Sequence, residues 1–186
     1  MKKSLAFLWE IAKIVIIALI IVVPIRYFLF QPFFVKGQSM EPNFENGDYL
    51  LVDEISYRLG GIERGDVIVF KYPNDPSQRY IKRVIGLPGE TVQIENGKIA
   101  IFSEEEGRYL DESEYLSSAV FTPGSLQTTL AEDEYFVLGD NRPSSADSRR
   151  WGSLAKEYIV GRVFLRAWPL NALAAISAPS YSTELK

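Results

Sequence analysis

Residues 80–102 read YIKRVIGLPGETVQIENGKIAIF, and the fold class follows from how this stretch is punctuated. It holds three runs, Tyr80–Gly86, Thr91–Glu95 and Lys98–Phe102, each too short for a stable helix and rich in β-branched or alternating apolar residues. Pro88-Gly89 turns the chain between the first two. Asn96-Gly97 between the others is a two-residue hairpin signal, because both central residues of such a turn take positive φ. Outward from here the texture recurs. Tyr49–Glu54, Val67–Lys71, Glu134–Leu138 and Ile159–Trp168 read as further strands between Gly, Pro, Asn and Asp clusters. Helical periodicity is scarce, with one short helix expected over Leu154–Ile159. The fold class is therefore mainly β, built on antiparallel sheets. Residues 103–133 are acidic, Ser-rich and weakly patterned, and read as an insertion or cap. The chain from Ser177 onward is expected to be loosely ordered.

The amino-terminal stretch is different in kind. Residues 5–30 read LAFLWEIAKIVIIALIIVVPIRYFLF, with Ile14–Val23 wholly apolar. About 20 such residues span a hydrocarbon core as a helix. Trp9 marks one rim, and Tyr27, Phe28 and Phe30 the other. Glu10 and Lys13 can pair near the inner end, Pro24 would kink the helix and Arg26 would reach the far interface. A cleaved leader lacks support, since no small-x-small site follows the apolar run. Lys2 and Lys3 favour a cytoplasmic amino terminus, which puts the rest of the chain outside the cytoplasm. The expected organisation is a cytoplasmic stub and transmembrane anchor (1–34), a β catalytic core (35–102 with 134–170), the cap (103–133) and a tail (171–186).

Composition removes whole classes of chemistry. The 186 residues carry 20 Lys+Arg against 24 Asp+Glu, a net charge of −4, with no basic block, so nucleic acid is not an expected partner. There is no cysteine and no histidine. Disulfides, thiol nucleophiles, Cys- or His-ligated metal and any triad with a histidine base are excluded. A nucleophilic hydrolase on this chain must use Lys, Asp, Glu or a terminal amine as its base.

Three segments could carry chemistry. Gly37-Gln38-Ser39-Met40-Glu41-Pro42 presents Ser39 on a loop, as a nucleophile or simply as a turn residue. It lies nine residues after Phe30, at most about 30 Å, which keeps it close to the membrane. Phe33 and Phe34, between them, could dip into the lipid interface. In Tyr80–Gly89, Lys82 and Arg83 point to opposite faces of one strand. Either both are exposed on an edge strand, or Lys82 is held among apolar side chains, where desolvation favours the neutral amine. Such an amine can take a proton from a serine hydroxyl. Leu138–Arg149 is dense in hydrogen-bonding side chains. Asp147 and Arg149 could pair there and fix the loop. A polar turn, or a paired-carboxylate site using Asp140 and Asp147, remains open, although no Asp-Thr-Gly or Asp-Ser-Gly loop supports the latter.

Taken together, Gly37–Pro42, Gly47-Asp48 with Leu50–Val52, Gly65–Phe70, Tyr80–Gly89 and Gly139–Arg149, in this order after an apolar span, resemble the type I signal peptidases, membrane-bound serine proteases with a Ser/Lys dyad. The resemblance implies a signal-peptidase-like β catalytic domain on one amino-terminal transmembrane helix, in the cell membrane. It implies Ser39 as nucleophile and Lys82 as general base. Ser145 would orient the amine, and Asp147 and Arg149 would brace the loop. The Ser39 N–H would serve the oxyanion hole, and Met40 would lie beside the pocket for a small residue. No cofactor or metal is implied. The implied partners are signal-peptide-bearing preproteins, the bilayer and the neighbourhood of the export machinery. The chain departs from the family pattern at Asn43 (usually Thr), Pro143 (commonly acidic) and Gly37 (a serine donor in some members, glycine in the Gram-positive-like branch). Two alternatives compete. Self-cleaving repressors share the dyad but are soluble and carry a DNA-binding segment. A membrane-anchored binding domain would leave the Ser/Lys combination unexplained.

Overall fold

The computed structural model describes residues 2–24, 30–55, 60–103 and 106–181. Arg26, Tyr27, Phe28 and residues 182–186 of the tail lie outside the described residues, as do the side chains of Lys2, Lys3, Pro24 and Phe30. Helix α1 covers Lys2–Pro24, 23 residues. Its described side chains, Phe7 and Trp9–Ile20, are exposed apart from half-buried Ala12. Among the residues whose side chains are described, no helical stretch is long and apolar enough to cross a membrane.

Twelve strands follow among the described residues. The first sheet holds β1 (Phe30–Phe34), β2 (Tyr49–Asp53), β3 (Val67–Tyr72), β4 (Asp75–Gly86), β9 (Glu134–Leu138), β10 (Leu154–Ala155), β11 (Ile159–Trp168) and β12 (Ala174–Ala175). Their order is β1-β2-β11-β3-β4-β9-β10, with β12 on β11. The second sheet holds β5 (Thr91–Glu95), β6 (Lys98–Ser103), β7 (Glu106–Tyr109) and β8 (Leu126–Thr129), ordered β7-β6-β5-β8. Every pairing is antiparallel. The β5–β6 turn has φ +53° at Asn96 and +79° at Gly97, as its dipeptide demands.

Two readings of local structure are corrected. Leu154–Ile159 is not a helix. Leu154 and Ala155 pair with Tyr135 and Glu134 of β9, and a 3-10 turn, Lys156–Tyr158, follows. Fully buried Leu154 is drawn into the core, and the Lys156 N–H finds Asp133 O at 2.8 Å rather than a carbonyl in its own helical turn. The end of the chain is also not loose as far as Tyr181. Ser180 donates its N–H to Glu114 Oε2 at 3.0 Å, and the Tyr181 and Tyr115 rings meet edge-on. Residues 103–133 supply β7 and β8 and so complete the second sheet.

Apolar packing positions β4 at the centre. One cluster, with Ile68, Phe70 and Val84, covers one face of the first sheet, and another, with Met40, Leu50, Val67 and Val69, fills the opposite side. A third joins the two sheets through Ile85, Val92, Leu130 and Phe136. Gly86 lies at this joint. A Cβ there would stand 2.4 Å from Val92 Cγ2 and 2.8 Å from Leu130 Cδ1. Gly86→Ala is therefore expected to lower unfolding free energy by about 1–3 kcal/mol, read as a lower denaturant midpoint at unchanged m.

Candidate active site

Lys82 and Arg83 follow one another on β4, an interior strand between β3 and β9. Edge exposure is therefore ruled out for both. Lys82 is 3% exposed and Arg83 is 5% exposed, on opposite faces. Arg83 is neutralised at once. Its Nε donates to Asp140 Oδ1 at 2.9 Å and its second terminal nitrogen to Oδ2 at 2.6 Å, and the guanidinium lies 4.0 Å from the Tyr115 ring centroid.

Among the described residues Lys82 has no such partner. Its Nζ donates to Ser39 Oγ at 2.7 Å and to its neighbour's carbonyl, Ile81 O, at 2.8 Å. Burial removes water from the ammonium and outweighs the attraction of Asp147 and Asp140, so its pKa falls to about 8. The 43-residue separation of Ser39 and Lys82 is closed by β1, β2, β11, β3 and β4 lying side by side.

The Ser39 loop is held from behind by the loop after β9. Asn141 N–H donates to Ser39 O at 3.1 Å, and Asn141 Nδ2 donates to Gln38 O at 3.0 Å. Asp147 is wholly buried and takes two side-chain hydrogen bonds from Arg149, both 2.8 Å, and the Gly139 N–H at 3.1 Å. Burial alone would raise its pKa, but Arg149 and the backbone donor bring it below the ordinary carboxylate value. Asp147 also accepts the Arg149 N–H and so caps the short helix α2 (Ser148–Trp151). Ser145 Oγ is buried close to the Asp147 carboxylate, without a hydrogen bond of good geometry to it or to Lys82. Met40 is fully buried beneath the loop, packed with Val35 and Phe44. It does not line the open cleft of about 680 Å³ beside Ser39, whose walls include Phe34, Val35, Tyr80, Ile81, Lys82 and Ala146.

Two of the three departures from the expected motif, Asn43 and Gly37, have local explanations. Asn43 Nδ2 donates to Asp140 Oδ2 at 2.8 Å and to Tyr115 O at 2.9 Å, a double contact that a threonine could not make. Gly37 has φ +91° and donates its N–H to Asn46 Oδ1 at 3.0 Å. Gly139 was part of the motif, but its reason is spatial. A Cβ there would lie 2.2 Å from Ser145 Oγ and 2.3 Å from Ser39 O. Sequence reading missed the partners from the cap, Glu112, Tyr115 and Thr122, because nothing in a polar, unpatterned segment marks which side chains turn inward.

The geometry can be compared with known proteins. Residues 8–168 match the model of the family described as signal peptidase, peptidase S26. The probable signal peptidase I-2 of Synechocystis sp. is 36% identical over 174 residues, 90% of this chain and 77% of that protein. Signal peptidase I of Leptolyngbya laminosa is 37% identical over 180 residues, 92% of this chain and 85% of that one. Signal peptidase IB of Staphylococcus aureus is 32% identical over 183 residues, 92% and 93% of the two chains. A crystal structure of a signal peptidase I from Enterococcus faecalis V583 matches 54% of this chain and 95% of that chain at 33% identity, with a TM-score of 0.45. The chain belongs to the signal peptidase family, peptidase S26. It is accordingly a peptidase, a hydrolase of peptide bonds.

Gly139→Ala tests the close approach of the two loops. It is expected to reduce kcat for peptide hydrolysis about 100-fold, the scale of a 1 Å misplacement. Steady-state kinetics on a peptide with alanine one and three residues before the cut measures this. Unchanged kcat would mean that the loop spacing does not matter.

Proposed function

We propose that this chain is a membrane-anchored serine endopeptidase that removes amino-terminal signal peptides from exported preproteins, cutting after a small residue. The carrying observation is the 2.7 Å contact between Ser39 Oγ and a lysine amine that is 3% exposed. Lys82 donates in that contact as drawn. Once neutral, its lone pair can instead accept the Ser39 proton, and the same pair becomes nucleophile and base.

The sequence of events follows from this pair. Ser39 Oγ attacks the scissile carbonyl carbon while Lys82 Nζ takes the hydroxyl proton. The Ser39 N–H, which has no acceptor among the described residues, serves the developing oxyanion. Collapse breaks the C–N bond, and Lys82 returns its proton to the departing amine. Water, deprotonated by Lys82, then cleaves the acyl ester and restores Ser39. Ser145 is the side chain assigned to orient the neutral amine, with Asp147 and Arg149 bracing its loop. The reaction needs no cofactor.

Helix α1 is the proposed anchor. Its 23 residues make about 34 Å at 1.5 Å each, enough for a hydrocarbon core. Phe7, Trp9, Ile14 and Ile20 are all more than 60% exposed, and an apolar helix without a packing partner is stable in lipid rather than water. In this reading the amino terminus is cytoplasmic and the β domain faces outward. Lipid contact of the domain itself is supported by a row of aromatics. Phe34 pairs in register with Tyr49, and Tyr49 with Trp168, and Phe34 and Trp168 are 64% and 56% exposed. Phe33 is half-buried against the core and takes less part in the row.

Ser39→Ala and Lys82→Ala are expected to abolish cleavage of a preprotein reconstituted with the enzyme, with the fold retained by circular dichroism. Lys82→Arg fails too, because a guanidinium stays charged. Wild-type turnover by any of the three would overturn the dyad. The pH–rate profile supplies a second check. The neutral amine is the active form, so kcat/KM should rise about tenfold per unit below the Lys82 pKa and level off above about 8. A profile flat from pH 6 to 9 would remove Lys82 as the base.

A further inference from the structure

Residues 103–133 read from their composition as an insertion or cap, and one buried side chain ties them to the loop that holds Ser39. Arg142 has no exposed side-chain surface, and Glu112 of the cap is 16% exposed. The two terminal nitrogens of Arg142 grip both oxygens of the Glu112 carboxylate, one contact being 2.6 Å, and Tyr115 O–H donates to the same carboxylate. Arg142 also donates to Thr122 Oγ1 of the cap at 2.5 Å, and through Nε to Gly139 O at 3.1 Å. All three guanidinium nitrogens are thus spent inside the protein. Arg149 adds a third thread, donating to Arg142 O at 2.7 Å and to Pro123 O at 3.2 Å.

What this clamp holds decides its meaning. Arg142 is bonded to Asn141, the residue that donates to Ser39 O and Gln38 O. Gly139 O, on which Arg142 Nε pulls, belongs to the residue that separates Ser39 O from Ser145. A buried guanidinium without its carboxylate cannot stay where it is, because an uncompensated charge must reach water or draw water in. Losing Glu112 would therefore move the backbone at residues 139–142, and with it the carbonyl that fixes the Ser39 peptide.

We propose that Glu112 is a positioning residue for the nucleophile. It acts through Arg142 and Asn141, and the cap is part of the frame that sets the Ser39–Lys82 distance. This rests on Ser39 being the nucleophile. Glu112→Gln keeps the shape and removes the charge. It is expected to lower kcat on the small-residue peptide at least about tenfold while KM changes less than about twofold, the signature of a misaligned reacting group. Arg142→Gln should cost as much, and the double variant no more than either single one. Gly86→Ala, destabilised at a distance from the site, is the control and should keep wild-type kcat below its melting range. If Glu112→Gln does not fold, Thr122→Val, which removes one acceptor of the same clamp, should give a smaller kcat loss of the same kind. Wild-type kcat in a folded Glu112→Gln, an equal loss in Gly86→Ala, or additive losses in the double variant would overturn the proposal. Ser39→Ala is assayed alongside. Residual turnover there would defeat the nucleophile assignment itself, independently of Glu112.

Discussion

An ammonium nitrogen kept from water is expensive, and the chain places one, Lys82 Nζ, where no carboxylate of the described residues touches it. The proposed catalytic region depends on that dry amine. Two carboxylates, Asp147 and Asp140, are close enough to favour its charged form. Each is already engaged by an arginine, Asp147 by Arg149 and Asp140 by Arg83. Their negative charge is largely spent on those partners, so burial wins and the amine loses its proton more readily than a lysine in water. A free carboxylate in either place would hold the proton on Lys82 and leave no neutral amine beside the Ser39 hydroxyl.

The same logic runs through the surrounding loops. Arg64–Glu90, Arg83–Asp140, Arg142–Glu112 and Arg149–Asp147 are ion pairs whose side chains are mostly or wholly withdrawn from solvent. Such pairs add little net stability compared with apolar packing, but breaking one strands a charge. They act as pins that fix loop segments, either within themselves, to one another or to β4. Three of the four end on Arg83 or on the loop after β9, where position matters most. The second sheet, packed on the first through Ile85 and Phe136, carries the cap that supplies one of these partners.

Much of this could be read before any coordinates. Thr91–Glu95, Glu134–Leu138 and Ile159–Trp168 are strands with the bounds their patterns indicated, and Asn96-Gly97 makes its hairpin. These are local properties, set by β-branching, alternation and the need for positive φ. The absence of histidine left lysine among few possible bases, and the resemblance of the motifs to the type I signal peptidases pointed to Lys82. Leu154–Ile159 was misjudged because a short apolar run fits a helix or a strand equally well, and only pairing with β9 settles it. The ordered end of the chain escaped notice because Ser180 and Tyr181 are held by Glu114 and Tyr115, partners 66 residues away.

Residue type and order thus established the β class, the apolar helix and the identity of a possible hydroxyl and amine. They could not say whether Lys82 was wet or dry, since burial is a property of neighbours supplied by distant strands. Folding decided that β4 is an interior strand, that the hydroxyl and the amine meet at 2.7 Å, and that an acidic side chain from an unpatterned segment closes on Arg142. Each of these depends on long-range register and packing, which local pattern does not encode.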